Sequence, residues 1–325
     1  MSSGCASPRR FFSLLLLGLC AGSLAAHAIG VFRNTSGCDL RSILPAEYMA
    51  YCENERFADY EHGAFWYDLE PGVVQAMRDA DVLFVGNSRL QLGFDPSLLA
   101  AAMSELGLRY YMLGFGYKEY HVFAQSLIER YRLKPRALVA NADPFFVDAL
   151  SAASRPLLEA GPGEPMLGYR YRGFVQRAKA RLCGQGAPLA SSRACEGFRL
   201  TIYRNRQSGE WRLARSMGEG SPIVPMARRA AAADVSSASA HGRFLRERLG
   251  LSPTCLPVLG VPTPSVSSDM AARIASKAGL PFIEGDGEGL RSSDGSHLTS
   301  TSATAWTLNI LPQLTRVLAA CMQSK

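Results

Sequence analysis

The sequence has no short internal repeat, no second long apolar run and little charge for its length. Because a repeat period is missing, solenoid and propeller architectures are excluded. A single apolar run likewise excludes a transporter with several membrane spans. Charged residues make up only 19% and hydrophobic residues 47% of the 325 positions, a balance that disordered chains do not have. What remains is a folded body of the α/β or α+β class, long enough to bury a large core.

The single apolar run covers residues 11–32, in which Cys20 and His27 are the only titratable side chains. As a helix it would rise about 33 Å, enough to cross a hydrocarbon core of about 30 Å. Two arginines precede it and predict a cytoplasmic N-terminus, with a periplasmic body anchored to the inner membrane by one helix. A cleaved signal peptide is the alternative, since Ala26 and Ala28 form a small-x-small cleavage site around His27. Both interpretations place the body outside the cytoplasm.

The chain has eight cysteines, of which Cys5 and Cys20 lie before or within the apolar run. The other six form an even set, which in an exported chain favours disulfides and allows 15 connectivities. A structural metal site is the alternative, but no Cys-x-x-Cys pair or nearby histidine supports one, and we expect neither a metal nor a cofactor. Local closure favours Cys38 with Cys52 and Cys183 with Cys195, which leaves Cys255 for Cys321.

Positive charge is concentrated between residues 170 and 250, which we call the basic sector. This sector holds 15 arginines and one lysine against five acidic residues, whereas the whole chain has a formal charge of +7. The guanidinium group of arginine donates paired hydrogen bonds to carboxylate and phosphate groups. Outside the cytoplasm those groups belong to acidic glycans or anionic lipids, so nucleic acid is not expected as a partner. A solvated surface with interspersed ion pairs explains the same bias.

Short apolar runs that end in glycine or a polar residue alternate with helical periods over much of the chain. Asp95 followed by Pro96 is a typical helix start, with an acidic N-cap and proline in the first turn. The pattern predicts strands at 81–86, 108–113, 136–140, 257–262 and 281–283, and helices at 95–107, 119–131, 265–279 and 299–320.

This alternation predicts an α/β fold with a doubly wound, mostly parallel sheet, in a flavodoxin-like three-layer arrangement. Residues at about 150–255 show no clear period and contain the basic sector, so we expect a large basic insertion between the third and fourth strands. The predicted organisation is an anchor or signal peptide at 1–32, an N-terminal extension at 33–80 and one domain at 81–325.

Two polar segments lie after predicted strands, where ligands of such sheets bind. The first contains Ser88, whose hydroxyl and backbone N–H would both face the carboxyl edge of the sheet, as a nucleophile requires. The second contains Asp294 and His297, spaced so that the carboxylate can orient an imidazole base. A turn serine and an Asp-Gly turn with an incidental histidine are the alternatives for each segment alone. Together the segments predict serine-dependent chemistry.

The segments Gly86-Asn87-Ser88 and Asp294-x-x-His297 resemble the first and last sequence blocks of the SGNH (GDSL-like) hydrolases. The resemblance covers about 81–148 and 255–320 and implies that Ser88, His297 and Asp294 are catalytic. It also implies an oxyanion hole formed by Ser88, Gly116 (or Gly114) and Asn141. Asn141 stands one position earlier than the family order, because Ala142 occupies the expected place.

Gly-x-Ser-Arg followed by Asp-Gly-x-His is also similar to membrane-anchored members of bacterial polysaccharide acylation systems. The resemblance implies an esterase or O-acyltransferase that forms an acyl-enzyme, with an acyl-bearing glycan or lipid as substrate and a membrane-bound acyltransferase as partner. Arg89, beside the nucleophile, would bind a substrate carboxylate, with an ordinary surface arginine as the alternative. A non-catalytic envelope protein that binds anionic polymer or a membrane partner is the rival interpretation.

Overall fold

The computed structural model describes residues 13, 16–23, 38–52, 59–116, 119–142, 145–159, 164–197, 199–214, 221–222, 232–263 and 269–324. The apolar run at 11–32 lies largely outside these residues, and 13 and 16–23 of it are helical. Within the described part of the chain, no helix combines the length and the apolarity that a bilayer span needs. The anchor and the signal peptide therefore both stay predictions.

The described elements alternate between strands and helices along most of the chain. The strands are β1 (Tyr48–Cys52), β2 (Val82–Asn87), β3 (Tyr110–Phe115), β4 (Ala137–Asn141), β5 (Thr201–Asn205), β6 (Trp211–Leu213), β7 (Ser221–Pro222), β8 (Val258–Leu259), β9 (Phe282–Ile283) and β10 (Arg291–Ser292). The helices are α1 (Asp59–Trp66), α2 (Val73–Asp79), α3 (Ser88–Gly93), α4 (Pro96–Glu105), α5 (His121–Tyr131), α6 (Arg155–Glu159), α7 (Glu164–Cys183), α8 (Ala232–Arg248), α9 (Asp269–Ala278) and α10 (Ser300–Gln323).

A five-stranded parallel sheet forms the centre of the fold, in the order β3-β2-β4-β8-β9. Every residue of β2 is buried, which explains its unbroken apolar sequence. Leu83 and Val85 pack into one core cluster, while Val82 and Phe84 pack into another, so both faces of the sheet are covered. These observations confirm the predicted α/β class and the parallel sheet.

A second, antiparallel sheet in the order β1-β5-β6 was not predicted from the sequence. It joins the N-terminal extension to the basic sector, since β1 precedes the parallel sheet and β5 lies beyond residue 200. Arg204 of β5 is fully buried, forms an ion pair with Glu61 of α1, and donates to the carbonyl of Gly114 in β3. A buried charge needs such partners. Arg204 therefore ties the antiparallel sheet to the parallel one.

The helix starts and strand ends differ from the predictions by a few residues in most elements. Asp95 caps α4 as expected, because its Oδ1 accepts from the N–H groups of Ser97 and Leu98. The strand expected at 257–262 is much shorter, since only Val258–Leu259 pairs with its neighbours. Pro257 and Pro262 flank it, and proline has no N–H for a ladder hydrogen bond.

Three disulfides join Cys38 to Cys52, Cys183 to Cys195 and Cys255 to Cys321. The pairing favoured by local closure is therefore confirmed. Structural disulfides persist in oxidising compartments, which agrees with an extracellular or periplasmic location. The third bridge links Cys321 of α10 to Cys255 in the turn before β8, so it holds the C-terminal helix next to a strand of the parallel sheet.

Candidate active site

Ser88 is held at the junction between β2 and α3. The strand ends at Asn87, whose side-chain Oδ1 accepts from the backbone N–H of Arg89 at 3.0 Å and so caps the helix. Gly86 is needed for the close turn, because a Cβ there would lie 2.8 Å from Cβ of Leu90. The local sequence thus fixes a partly exposed serine at the carboxyl edge of the sheet.

His297 lies in the loop between β10 and α10, and the loop is built around Asp294. The Oδ1 atom of Asp294 accepts from the backbone N–H groups of Ser296 and His297, both at 2.8 Å. Gly295 has φ of +79°, a left-handed conformation that glycine adopts readily. The N–H of Ser293 donates to the carbonyl of His297 at 2.9 Å and closes the loop. These bonds fix the direction of the imidazole.

The two segments meet although Ser88 and His297 are 209 residues apart. His297 Nε2 lies 2.8 Å from Ser88 Oγ, and His297 Nδ1 lies 2.7 Å from Asp294 Oδ2. Both distances fall in the range of about 2.6–3.2 Å expected of a base that acts on a nucleophile. An ionised carboxylate only accepts hydrogen bonds, so Nδ1 carries the imidazole proton and Nε2 can accept from the serine hydroxyl.

The carboxylate of Asp294 is kept ionised by its neighbours. Partial burial acts to raise its pKa, but hydrogen bonds from the His297 ring and from the backbone of Ser296 and His297 outweigh burial and lower the pKa below its ordinary value. The Asp294 side chain is 44% exposed and that of His297 is 18% exposed. The imidazole is therefore shielded while remaining reachable from solvent.

Gly116, predicted as an oxyanion donor, follows the end of β3 and lies at the same sheet edge as Ser88. Asn87 of β2 pairs in register with Phe115 of β3, so the next residues of the two strands, Ser88 and Gly116, lie at the same edge. A Cβ on Gly116 would lie 3.5 Å from Cη2 of Trp211, an ordinary contact distance. The position therefore does not require glycine for space.

Gly114, the other candidate for this role, packs closely against α3. A Cβ there would lie 2.7 Å from Cγ of Gln91 in α3. Its carbonyl accepts from the side chains of Gln91 and Arg204, both at 3.0 Å. Gly114 thus lets α3 approach β3 closely, and its carbonyl accepts hydrogen bonds from two side chains.

Asn141, the third predicted donor, is the last residue of β4, the strand on the other side of β2. The preceding residues, Ala140 of β4 and Val85 of β2, pair in register. The side-chain Oδ1 of Asn141 accepts from the backbone N–H of Val261 at 3.2 Å. Its Nδ2 is buried and has no hydrogen-bond partner among the described residues. An unpaired buried amide is rare, and Asn141 is 0% exposed.

Arg89, predicted to bind substrate, follows Ser88 and contacts the loop that contains His297. Its Nε donates to Oγ of Ser296 at 3.3 Å, and its side chain is partly buried. Ser296 stands directly before His297, so Arg89 braces the loop that presents the imidazole. This contact was not predicted from the sequence.

A buried cluster around Glu119 was also missed by the sequence analysis. Glu119 accepts from Ser151 and Ser154 and lies 2.9 Å from Nε2 of His62, and all four residues are buried. The serine hydroxyls donate to the carboxylate and not to the imidazole, so the cluster lacks the serine-to-histidine contact of a nucleophile. The one signal for it was the position of Glu119 shortly after a predicted strand.

His121 and His241 form a histidine pair, with ring centroids 4.7 Å apart. Burial, and then the neighbouring His241, lower the pKa of His121 to about 4, although Asp148 acts in the opposite direction. The unfolded chain, with a histidine pKa near 6.5, therefore binds a proton that the folded chain does not. The stability that His121 contributes is fully present above the unfolded pKa of about 6.5, and it is lost as the pH falls toward the folded pKa of about 4.

We expect acidification from pH 7 to pH 5 to remove about 2 kcal/mol of the free energy of unfolding through His121 alone. The His121→Gln variant should lose correspondingly less stability over the same interval, because glutamine does not titrate. Urea denaturation of both proteins at the two pH values measures the difference. Equal losses in both proteins would contradict the buried, neutral state of His121.

Within the described part of the chain, no group of three or more histidine, cysteine, aspartate or glutamate side chains could hold a metal ion. Comparison of the chain with protein-family models, with curated proteins and with solved structures finds no match. The interpretation of the site therefore depends on its geometry and on the chemistry of its residues.

Proposed function

We propose that the protein is an extracytoplasmic serine-dependent O-acyl ester hydrolase or O-acyltransferase of the SGNH type, acting on a cell-envelope glycan through an acyl-enzyme. One observation carries this proposal: an unbroken hydrogen-bonded chain from Ser88 Oγ through the His297 imidazole to Asp294, with contacts of 2.8 and 2.7 Å. A serine alcohol is a weak nucleophile until a base removes its proton, and this chain supplies an oriented base.

In the first half of the reaction, Ser88 Oγ attacks the ester carbonyl while His297 Nε2 takes the hydroxyl proton. The tetrahedral intermediate then collapses, and the imidazolium returns that proton to the leaving alcohol oxygen. Asp294 stays ionised and stabilises the positive charge of the imidazolium, and the proton on His297 Nδ1 stays on the ring. The products are a free alcohol and an ester between the acyl group and Ser88.

In the second half, His297 takes a proton from the attacking group, the bond between the acyl group and Ser88 Oγ breaks, and the imidazolium returns the proton to Ser88 Oγ. Water as the attacking group gives a carboxylic acid, which is the esterase outcome. A sugar hydroxyl gives a new ester, which is the transferase outcome. The same base serves both halves, because the imidazole returns to its neutral state after each one.

The oxyanion of each intermediate would be bound by the backbone N–H groups of Ser88 and Gly116 and by the Nδ2 of Asn141. Their positions at the carboxyl ends of three adjacent strands, β3, β2 and β4, and the unpartnered state of Nδ2 support this assignment. Each such donor contributes about 3 kcal/mol of transition-state stabilisation.

We assign the acyl group to a cleft beside the histidine loop, whose lining includes Leu298 but neither Ser88 nor His297. The cleft has a volume of about 280 Å³ and is lined by Leu92, Phe94, Trp211 and Leu298, among others. Leu298 directly follows His297, and Leu92 lies one helical turn beyond Ser88. A cleft of this size is slightly below the range typical of drug-sized ligands, which favours a short acyl group.

The domain organisation belongs to the same proposal. Residues 81–325 would form one doubly wound, flavodoxin-like domain of three layers, with residues at about 150–255 inserted between its third and fourth parallel strands. The N-terminal run would anchor it to the inner membrane, where a membrane-bound acyltransferase partner could deliver acyl groups. The disulfides support the extracytoplasmic side of this placement.

Labelling with a fluorophosphonate tests the proposal directly. The reagent phosphonylates serines whose proton is removed by an adjacent base, so we expect one adduct, on the peptide that contains Ser88, by mass spectrometry. Ser104→Ala, which removes an exposed serine of α4, should label as the unaltered protein does, whereas Ser88→Ala should not label. Equal labelling of Ser88→Ala, or no labelling of a preparation that turns over esters, would overturn the assignment.

A further inference from the structure

A second cavity lies between α7 and β1, with a volume of about 240 Å³. It shares no lining residue with the Ser88 site, and its wall is formed by the N-terminal extension on one side and the basic sector on the other. Its described lining contains three arginines, Arg177, Arg181 and Arg206, against one carboxylate, Glu70. The cavity is therefore a small pocket with a positive lining.

The one carboxylate that lines this pocket already accepts hydrogen bonds from neighbouring side chains. Glu70 is buried and accepts from the guanidinium groups of Arg206 and Arg177 and from the hydroxyl of Tyr60. Arg181, one helical turn beyond Arg177, is exposed and makes no hydrogen bond or ion pair with any described residue. The positive charge of the lining is thus only partly neutralised, and the guanidinium group of Arg181 can reach a ligand in the pocket.

Gln176 gives an independent indication that this pocket binds something. The residue lines the cavity and is only 3% exposed, yet neither Oε1 nor Nε2 has a hydrogen-bond partner among the described residues. Leaving a buried amide unpaired is unfavourable, so folded chains nearly always satisfy such groups. A ligand that both accepts and donates hydrogen bonds would satisfy both ends of the amide.

We propose that this pocket binds a small polar ligand that carries an oxyanion group, with Arg181 and Arg177 on the oxyanion and Gln176 on a neighbouring hydroxyl. A volume of about 240 Å³ suits one sugar-sized unit with its carboxylate or phosphate rather than a larger molecule. The arginines supply the forked donors that both anions prefer. The inference does not depend on the ester chemistry at Ser88, because the two sites share no residue.

Isothermal titration calorimetry on the full chain tests this inference with three probes of similar size: glucuronate, glucose 6-phosphate and neutral glucose. We expect one of the charged sugars to bind, and the other sugars to bind at least about tenfold more weakly. Preference for glucuronate identifies a carboxylate ligand, and preference for the phosphate identifies a phosphorylated one. Equal binding of all three sugars, or binding of none, overturns the proposal.

Two variants of the pocket and one matched control locate the binding. Arg181→Ala removes an exposed side chain and Gln176→Met replaces the amide by an apolar chain of similar length, and each should weaken binding about tenfold or more. Arg170→Ala removes an exposed arginine of the same helix outside the pocket and should bind as the unaltered chain does. Ser88→Ala should also retain binding, which separates this test from the esterase proposal. Unchanged affinity in both pocket variants would refute the assignment.

Discussion

Ser88→Ala is expected to lower kcat for ester turnover by about 10⁴- to 10⁶-fold and to leave KM nearly unchanged. The alanine side chain cannot attack the carbonyl, so no acyl-enzyme forms, while the cleft beside Leu298 is unaltered because Ser88 does not line it. Any remaining rate would come from oxyanion donors and binding alone. Hydrolysis of a short-chain chromogenic ester by the purified protein, followed over a range of substrate concentrations, separates kcat from KM.

The same experiment decides between an enzyme and a binding protein. Ser104→Ala is the matched control, since it removes a serine hydroxyl from an exposed position of α4 and should retain the full rate. Thermal unfolding of both variants checks that each is folded. If Ser88→Ala keeps the starting rate, the catalytic interpretation fails and the non-catalytic envelope protein that binds anionic polymer or a membrane partner becomes the better one.

A double variant adds a signature that a structural role for Ser88 would not give. Residues that act as one catalytic unit show strongly non-additive effects, because removing one member already removes the function of the others. Ser88→Ala combined with His297→Ala should therefore be no slower than Ser88→Ala alone. The 2.8 Å contact between their side chains is the physical basis of this coupling.

The meeting of Ser88 with Asp294 and His297 could be anticipated because each segment lies at the carboxyl side of a predicted strand or just before the last helix. In a parallel sheet these ends converge on one edge, so short-range signals were sufficient to bring distant residues together. The Asp-x-x-His spacing carried similar information, since the aspartate reaches both the backbone and the ring of His297 within one turn.

The antiparallel sheet could not be anticipated in the same way. Its strands β1 and β5 are about 150 residues apart, and their sequences, YMAYC and TIYRN, show no distinctive alternation. Arg204 of β5 pairs with Glu61 of α1, and both residues resemble surface charges when the sequence is considered alone. Only the folded chain shows that this ion pair is fully buried.

The basic sector gave an ambiguous signal for a related reason. Some of its arginines form ion pairs inside the protein, such as Arg204 with Glu61 and Arg206 with Glu70. Others, such as Arg181, line a cavity with no described partner. Charge counts cannot separate these cases, because the acidic partners lie in the N-terminal extension, far away in sequence.

Asp294→Asn is expected to lower kcat about 10⁴-fold while the loop keeps its shape. The Oδ1 of Asp294 accepts two backbone N–H bonds, and an asparagine oxygen would keep both of them. The amide NH₂ would then face Nδ1 of His297 in place of the carboxylate Oδ2. A donor at this position forces Nδ1 to accept, so the imidazole proton moves to Nε2. Nε2 can then no longer take the proton of Ser88.

The expected signature is a loss in kcat with little change in KM or in thermal stability, measured with the ester used for Ser88→Ala. Asp286→Asn is the matched control, because its Oδ1 also accepts a backbone N–H, from Glu288 at 2.8 Å, and no histidine is among its described hydrogen-bond partners. A full rate in Asp294→Asn would mean that the carboxylate only shapes the loop. A loss of rate without a loss of stability would mean that the carboxylate sets which nitrogen of His297 holds the proton, and with it whether the serine can be activated.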